Sequence, residues 1–428
     1  MDRTTDVVVI GGGLAGLAAA AYLGRAGRRV TVVEKAHAPG GRAITQKKAG
    51  FSFNLGAHAV YRGGPAWRVL DELGVPRKGG VPSASGAYAV AGDRLHTLPS
   101  GLVSLLTTGL LPLAGKMEIG RLLASVGSID ATAHRVTGAS EWLSANVRSP
   151  EARGLLEALF RVSTYSADLD RLSAEVALGQ LQATLKASVL YLDGGWQTMV
   201  DALRSIATSA GATIVTDARV EEVEVEGGAA RGVRIAGDRR IAADAVVVAA
   251  SPAAASALVP KSEELARWAE QAIPVKAATL DVALSRLPNP RATFGLGVGS
   301  PLYLSVHSAS AALAPEGGAL IHVMEYLTPD RKGDEARLEA LLDRMQPGWR
   351  DVVVERRFLP SLIASNALVT AAGGGLAGRP GPEVPSIAGL YVAGDWVGAE
   401  GLLADASLAS AKRAAELLAS RKVERMAA

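Results

Sequence analysis

The chain has 428 residues, of which 49% are hydrophobic, and its 48 glycines and 20 prolines are scattered along it. This is the composition of a globular α/β protein with two or three domains, neither disordered nor fibrous. Cysteine is absent, which excludes disulfides, thiolate metal sites and a cysteine nucleophile. A net charge of only +3 and an aromatic content of 4% predict no nucleic-acid partner, and we expect no metal site.

The first predicted unit is a β-α-β element at the N-terminus. Val7 to Ile10 is a continuous apolar run rich in β-branched residues, which is typical of a strand buried on both faces. A glycine-rich turn follows, then a helix to about Arg25, and then a strand from Arg29 to Val33 that leads into Glu34. The length and order match a dinucleotide-binding unit.

The rest of the chain alternates between α/β segments and irregular or helical ones. One short helix (67–73) is predicted in residues 63–101, and several helices in 102–190. The later predicted elements are a helix at 197–209, strands near 213, 219–225, 244–250, 277–284 and 302–307, a helix at 334–345, a strand at 390–393 and a helix at 404–420. Because no linker separates these segments, we predict interleaved domains.

The glycine-rich turn carries the most specific chemistry. Gly11 permits the tight bend after the strand, Gly13 lets a pyrophosphate approach the backbone, and Gly16 lets helix and strand pack closely. The helix N-terminus offers N–H groups and a positive dipole end to phosphates, and Glu34 can accept hydrogen bonds from a ribose. The sequence therefore predicts a dinucleotide site here.

The same six letters recur downstream, from Gly373 to Gly378. Arg379-Pro380-Gly381-Pro382 follows them and cannot continue as a helix. We interpret the second copy as a loop, so the sequence shows no second nucleotide site for NAD(P)H.

Two further motifs indicate which dinucleotide binds. Pro39 to Ala43 holds two glycines and Arg42, which can pair with a pyrophosphate, and Gly394-Asp395 precedes the last helix. With the first glycine turn, these motifs resemble the flavin amine oxidase and phytoene desaturase superfamily, most strongly in 7–58, 191–251 and 387–415. The pattern of Pro39 to Ala43 is nearer the desaturase branch.

The resemblance implies an α/β fold: a glutathione-reductase-like, FAD-binding Rossmann domain with an interleaved α+β substrate domain. We place the FAD domain at residues 1–75, 194–260 and 382–428, and the substrate domain at 76–193 and 261–381. The cofactor would be FAD, bound without a thioether link because cysteine is absent. Glu34 would contact the adenosine ribose, Val220 adenine, Asp395 the ribityl or phosphate region, and 401–403 the flavin edge. The implied FAD-binding residues are Gly11, Gly13, Leu14, Ala15, Gly16, Glu34, Lys35, Gly40, Gly41, Arg42, Leu55, Gly56, Ala57, Val220, Ala250, Gly394, Asp395, Gly401, Leu402 and Leu403.

The substrate side departs from the amine oxidases of that superfamily, which frame the flavin with two aromatic side chains. Here the C-terminal position reads Gly401 to Asp405, and no aromatic residue occurs from Pro360 to Leu390. Both expected positions are aliphatic, which favours an apolar substrate.

No side chain stands out as an acid or base. His58, Trp196 and Lys276 are the candidates, each set against an ordinary structural role: a histidine satisfied by backbone, a core tryptophan, and a solvated lysine. Tyr303, His307, His322 and Tyr326 fall on strands where period-2 alternation could turn them toward a cavity or into sheet packing.

The resemblance implies a desaturase- or dehydrogenase-like reaction, in which hydride passes from a carbon of a small molecule to flavin N5, with oxygen, a quinone or another acceptor reoxidising the flavin. One alternative is an amine or amino-acid oxidase. Another is a prenyl carrier without redox chemistry, since the Rab GDP-dissociation inhibitors share this fold.

The location of the protein is a further expectation. Met1 to Asp6 is polar with no apolar leader, so we expect a cytoplasmic protein. Leu98 to Ala114 is apolar but too interrupted to span a membrane. It could be an interfacial patch through which a lipid-like substrate enters, but its broken pattern favours an internal helix pair.

Overall fold

A computed structural model describes residues 5–427, and the side chains of residues 5–420. Within this range the α-helices are α1 (Leu14–Arg25), α2 (Pro65–Leu73), α3 (Leu102–Thr107), α4 (Leu113–Ser125), α5 (Ala139–Asn146), α6 (Pro150–Thr164), α7 (Ala174–Ala187), α8 (Gln197–Ser209), α9 (Pro252–Leu258), α10 (Glu263–Gln271), α11 (Glu335–Met345) and α12 (Leu403–Ala427). The strands are β1 (Val7–Ile10), β2 (Val30–Val33), β3 (Thr45–Lys48), β4 (Phe51–Asn54), β5 (Val60–Tyr61), β6 (Gly79–Gly80), β7 (Ala87–Ala91), β8 (Arg94–Thr97), β9 (Val189–Leu192), β10 (Thr213–Val215), β11 (Val220–Glu226), β12 (Ala229–Ile235), β13 (Arg239–Ala242), β14 (Ala245–Val248), β15 (Val275–Leu284), β16 (Phe294–Val298), β17 (Leu302–Val306), β18 (Ala319–Leu327), β19 (Val353–Ser365) and β20 (Leu390–Val392).

A five-stranded parallel sheet forms the first unit, in the order β10-β2-β1-β14-β20. Every residue of β1, β2 and β14 is buried, as their apolar runs predict. Helices α1, α2, α8 and α12 cover one face, and the antiparallel β11-β12-β13 sheet packs against the other. The predicted α/β fold with a Rossmann-type sheet is confirmed.

A seven-stranded sheet forms the second unit, in the order β19-β15-β18-β17-β16-β7-β8. Helix α11 packs on one face, which we call the outer face. The helical region 98–181 packs on the opposite, inner face. Pro360 is tolerated because β19 is an edge strand. The β7–β8 hairpin was not predicted, because β7 is held by a parallel pairing with the distant β16.

Short strands connect the two units. β9 pairs with both β5 and β6. Phe51 and Phe53 of β4 pack with Tyr191 of β9 against Ala283 and Leu320 of the seven-stranded sheet. The segment that follows β4, residues 55–58, is thereby held between the two sheets.

The α3–α4 pair is amphipathic, so the favoured interpretation of Leu98 to Ala114 as an internal helix pair is wrong for one face. Leu105, Leu110 and Leu111 are buried in the inner-face core. Leu102, Val103, Leu106, Leu113 and Met117, by contrast, are between 49% and 75% exposed. Within the described residues, no helix is long and apolar enough to cross a membrane.

Candidate functional site

The glycine turn shapes the start of α1. A Cβ added at Gly16 would lie 1.9 Å from the carbonyl oxygen of Gly11, so only glycine allows the helix to pack on the turn. Gly13 caps α1, and no side chain bonds to the cap. A Cβ at Gly13 would meet nothing within 4 Å. Open space therefore lies beside Gly13 at the uncapped N-terminus of α1, and a helix N-terminus of this kind can bind a phosphate.

Glu34 lies at the end of β2 and is only 7% exposed. Its Oε2 accepts a hydrogen bond from the Gly12 N–H at 2.6 Å, and its Oε1 accepts from the Ala36 N–H at 2.8 Å. The Ala218 N–H bonds to the Glu34 carbonyl, which brings nearby Val220 toward this acid. The predicted ribose and adenine contacts are therefore neighbours, whereas the side chain of Lys35 is exposed.

The turn at 40–42 forms a second wall beside the glycine turn. The Gly40 N–H donates to the Gly12 carbonyl at 2.8 Å. Arg42 Nη1 donates to Asp395 Oδ2 at 2.8 Å, and Asn366 donates to both oxygens of the same carboxylate. Burial opposes ionisation of Asp395, but Arg42 and Asn366 hold its pKa below the ordinary value.

Gly394 and Ala250, two other predicted cofactor-binding residues, lie close to each other near Asp395. The Trp396 Nε1–H donates to the Ala250 carbonyl, so Ala250 lies beside Gly394. Arg42 keeps 43% of its side chain exposed while its partner Asp395 has none. An uncapped helix N-terminus and a partly exposed guanidinium converge here, and this donor set fits the pyrophosphate of a dinucleotide.

The other predicted contacts of the cofactor lie at the inner-face core of the seven-stranded sheet. Ala57, Leu402 and Leu403 pack in this apolar cluster, and the Tyr165 hydroxyl donates to the Ala57 carbonyl at 2.9 Å. Leu55 and Gly56 precede Ala57 on the same segment. The Gly401 carbonyl accepts from Arg379.

His58 and Trp196, two of the catalytic candidates, contact each other. Their ring centroids are 4.7 Å apart in an edge-to-face arrangement. The His58 ring nitrogens lie 3.1 Å and 3.2 Å from the Gly56 and Arg42 carbonyls, and burial lowers its pKa to about 4. Trp196 Nε1 is buried without a hydrogen-bond partner. His58 is thus a neutral side chain that ties segment 55–58 to the turn at 40–42.

Lys276 is not brought into this site. Strand alternation places its side chain with Ala278 and Leu280, on the outer face that α11 covers. Its Nζ donates to the Pro329 carbonyl at 3.0 Å. The structure therefore corrects the prediction of Lys276 as a catalytic candidate, because this lysine is half-buried and faces away from the inner-face core.

The inner face instead carries a buried polar row, defined here as Arg357, Asp281, His322 and Ser305. These residues are direct partners on the adjacent strands β19, β15, β18 and β17. Asp281 accepts from His322 Nδ1 and Thr279 Oγ1, and Arg357 contacts its other oxygen. Burial alone would raise the pKa of Asp281, but interaction with His322 and Arg357 lowers it.

Sequence analysis pointed to His322 but not to Asp281 or Arg357. The available signal was Asp281 itself, a carboxylate in the strand VKAATLDVAL, whose other residues are apolar except Lys276 and Thr279. Such a residue needs a buried partner. Tyr303, His307, His322 and Tyr326 all lie on the inner side and are buried there.

The second copy of the glycine motif is a loop, as predicted. Residues 375–378 form a single 3₁₀ turn with no strand before it. The Leu376 N–H donates to the buried carboxylate of Glu175 at 2.9 Å. A side chain of the protein itself therefore occupies the position where an anion would bind.

Comparison with known proteins gives a family and a fold. The sequence profile of the family described as flavin containing amine oxidoreductase matches residues 14–419. A phytoene desaturase from Cercospora nicotianae is 30% identical over 280 residues, which is 58% of this chain and 45% of that protein. The chain spans less than half the length of the curated relatives that it matches.

Two solved structures show the fold alone, because their sequences are distant. An oxidoreductase from Methanosarcina mazei has a TM-score of 0.73 at 21% identity, over 95% of this chain and 98% of that one. A putrescine oxidase bound to putrescine has a TM-score of 0.74 at 17% identity, over 97% and 99%. Since differently described enzymes give similar scores, the fold alone does not identify the substrate.

Proposed function

Because the chain belongs to the flavin-containing amine oxidoreductase family, whose members use FAD, we propose that it is a desaturase- or dehydrogenase-like enzyme that oxidises an apolar small molecule at carbon. When bound, FAD supplies the hydride acceptor at flavin N5. The protein binds the cofactor, orients the substrate carbon and excludes water.

The FAD site proposed here follows the residues described above. The α1 N-terminus from Gly11 to Gly16 and the turn at Gly40 to Arg42 would hold the pyrophosphate, with Asp395 fixing Arg42. Glu34 and Val220 would hold the adenosine end. Segment 55–57 and residues 401–403 would border the flavin, beside the inner-face core.

The apolar character of that core is the observation that carries the substrate class. The proposed flavin-edge residues Ala57 and Leu402 belong to one buried cluster with Leu296, Tyr303 and Met324. The nearby buried carboxylate, Asp281, is already paired with Arg357. An ammonium ion entering this core would meet no unpaired carboxylate among the residues of the polar row, which disfavours an amine substrate.

The carrier alternative requires no cofactor. A prenyl carrier has no need of an open α1 N-terminus together with the Arg42–Asp395 pair, and this chain keeps both. We therefore favour the enzyme. Oxygen, a quinone or another acceptor would reoxidise the flavin.

We also propose that the protein makes peripheral contact with a membrane. The α3–α4 patch, defined as Leu102, Val103, Leu106, Leu113 and Met117, is exposed beside helices that enclose the inner-face core. Lys116 and Arg121 lie on the same helix, α4. An exposed apolar helix face with basic neighbours is suited to a lipid interface.

Anaerobic bleaching of the flavin band tests the proposal. The purified protein is mixed with polyenes, isoprenoids, and primary or secondary amines. Bleaching by an apolar compound without nitrogen is the expected result. Bleaching by amines alone would show that the protein is an amine oxidase. If the protein neither retains nor takes up FAD, the prenyl carrier is the remaining alternative.

A further inference from the structure

Arg379, the residue after the second glycine copy, is a largely buried cation that binds only backbone carbonyl oxygens. Its Nη1 donates to the Asp395 carbonyl at 3.1 Å, and its Nη2 donates to the Glu400 and Gly401 carbonyls at 3.2 Å and 2.9 Å. Its Nε is buried without a partner. Buried charges are usually paired with an opposite charge, so a guanidinium held by carbonyls alone requires an explanation.

The second glycine copy places this arginine. A Cβ added at Gly378 would collide with the carbonyl oxygen of Gly373, so only glycine lets the turn close directly before Arg379. The Gly398 N–H then donates to the Pro380 carbonyl at 2.8 Å, which holds the chain after Arg379 beside the turn that follows β20. The motif that binds no nucleotide therefore directs a positive charge toward that turn.

The carbonyls that Arg379 binds belong to two parts of the proposed FAD site. Asp395 fixes Arg42 at the proposed pyrophosphate position, and Gly401 is the first of the residues that would border the flavin. One guanidinium thus ties the segment 395–401 together from the side of the protein.

The positive charge of Arg379 is not neutralised by direct contact. Asp395 and Glu175 attract it, but the Asp395 carboxylate is bound by Arg42 and Asn366, and the Glu175 carboxylate accepts from the Leu376 N–H. Burial lowers the pKa of Arg379 to about 10, and the two carboxylates oppose this shift. The guanidinium is therefore cationic at neutral pH.

We propose that Arg379 raises the reduction potential of the bound flavin by keeping a positive charge behind the flavin edge. The inference rests on the FAD site of the proposed function. Transfer of a hydride from a substrate C–H bond brings two electrons and one proton to the neutral flavin ring, which leaves one net negative charge on it. A fixed cation stabilises that charge in the protein interior and has much less effect on the neutral oxidised ring.

This role makes Arg379 a positioning residue. It touches neither the substrate nor the reacting atoms, and it acts through its charge and through the carbonyl of Gly401. A higher potential favours removal of hydride from a carbon that no neighbouring nitrogen activates, which is the reaction proposed above.

The reduction potential of the FAD-loaded protein tests the inference. It is measured without oxygen against reference dyes while xanthine oxidase slowly reduces dye and flavin together, so no substrate is required. Arg379→Gln and Arg379→Met should lower the equilibrium constant of two-electron reduction at least about tenfold, which corresponds to a potential about 30 mV lower. Arg379→Lys keeps the charge and should stay within about threefold of the wild type.

The pattern across the variants separates charge from structure. All three lose hydrogen bonds, so a purely structural role predicts a lower melting temperature in each and no dependence of the potential on charge. Arg25→Gln is the control, because Arg25 also donates to two carbonyls, those of Glu72 and Leu73, at the opposite end of α1 from the glycine turn. It should leave the potential unchanged.

Three results would overturn the proposal: equal potentials in all variants, a shift in Arg379→Lys as large as in Arg379→Gln, or loss of FAD by the uncharged variants alone. Glu175→Gln supplies a test that leaves Arg379 in place. It removes one attracting charge but keeps an oxygen to accept from Leu376, and it should raise the equilibrium constant. If the Arg379 variants do not fold, an unchanged or lower constant in Glu175→Gln would overturn the proposal.

The outcome is distinguishable from that of the proposed function. A potential that depends on the charge at Arg379, in a protein that no apolar compound bleaches, would sustain this inference and refute the desaturase-like activity. Bleaching by apolar compounds together with a potential that ignores this charge would do the reverse.

Discussion

Arg42 and Asp395 are 353 positions apart in the sequence, yet Nη1 of Arg42 donates to Oδ2 of Asp395 at 2.8 Å. This pair joins the turn after β2 to the turn after β20, so it closes the proposed pyrophosphate site from both ends of the chain. Arg42 also donates to the Ala364 carbonyl, which attaches the site to the edge strand of the second sheet.

Asp395→Asn should weaken FAD binding. The substitution removes the charge that orients Arg42, and a hydrogen bond to a charged group contributes about 1.5–3 kcal/mol, which corresponds to a loss of about 10- to 100-fold in affinity. Titration of the apoprotein by FAD fluorescence quenching measures it. Asp93→Asn, which removes an exposed partner of Arg344, is the control and should bind FAD as the wild type does.

Substitutions at two glycines of the first turn should affect folding and cofactor binding separately. Gly16→Ala forces its Cβ against the Gly11 carbonyl and should destabilise the apoprotein, whereas Gly13→Ala meets no protein atom and should fold normally but bind FAD poorly. Thermal unfolding of the apoprotein and FAD titration distinguish the two. Gly127→Ala, also in open space, should change neither. Tight FAD binding by Gly13→Ala would contradict the phosphate position.

Asp405→Asn should stabilise the protein above neutral pH. Asp405 accepts from the Ala66 N–H, and burial raises its pKa to about 6. Because the folded pKa exceeds the unfolded value, the folded state favours the proton. Stability from this group is complete below the unfolded pKa near 3.9 and is lost as the pH rises to about 6, roughly 2–3 kcal/mol in all.

Urea unfolding between pH 4 and pH 8 measures this effect. The wild type should lose stability across the interval relative to Asp405→Asn, which keeps an oxygen to accept from Ala66. Parallel curves for the two proteins would mean that Asp405 does not titrate with a raised pKa.

Lys276→Met should leave flavin bleaching almost unchanged, within about threefold. The lysine lies on the outer face, away from the inner-face core, and only its bond to the Pro329 carbonyl is lost. Stopped-flow absorbance at the flavin band with whichever compound bleaches it is the measurement. A fall of 100-fold or more, with an unchanged melting temperature, would restore Lys276 as a catalytic residue.

Replacing the α3–α4 patch should abolish membrane contact. Leu102→Ser with Val103→Ser removes two side chains that are 73% and 75% exposed, so the fold should tolerate both changes. Co-flotation with vesicles of phosphatidylcholine and phosphatidylglycerol should fall at least tenfold. Leu185→Ser with Val354→Ser alters exposed apolar residues elsewhere and should float like the wild type. A wild type that does not float would refute the contact.

Local patterns determined the cofactor-binding unit. The run from Val7 to Ile10, the glycine turn and Glu34 are adjacent in sequence, and each constrains its own backbone, so the order of strand, turn and helix could be predicted without knowing the partners. The same reasoning rejected the second glycine copy, because a proline after Arg379 cannot extend a helix.

Only the tertiary structure decided which residues lie on the proposed substrate side. Asp281, His322, Ser305 and Arg357 become neighbours through the register of four strands that are far apart in sequence. Lys276 is excluded by the alternation of β15, since a shift of one residue would have turned it inward. The composition of α3 and α4 likewise could not tell a buried helix face from an exposed one. Sequence determined the elements because their causes are local, whereas strand register and helix docking depend on contacts between distant residues.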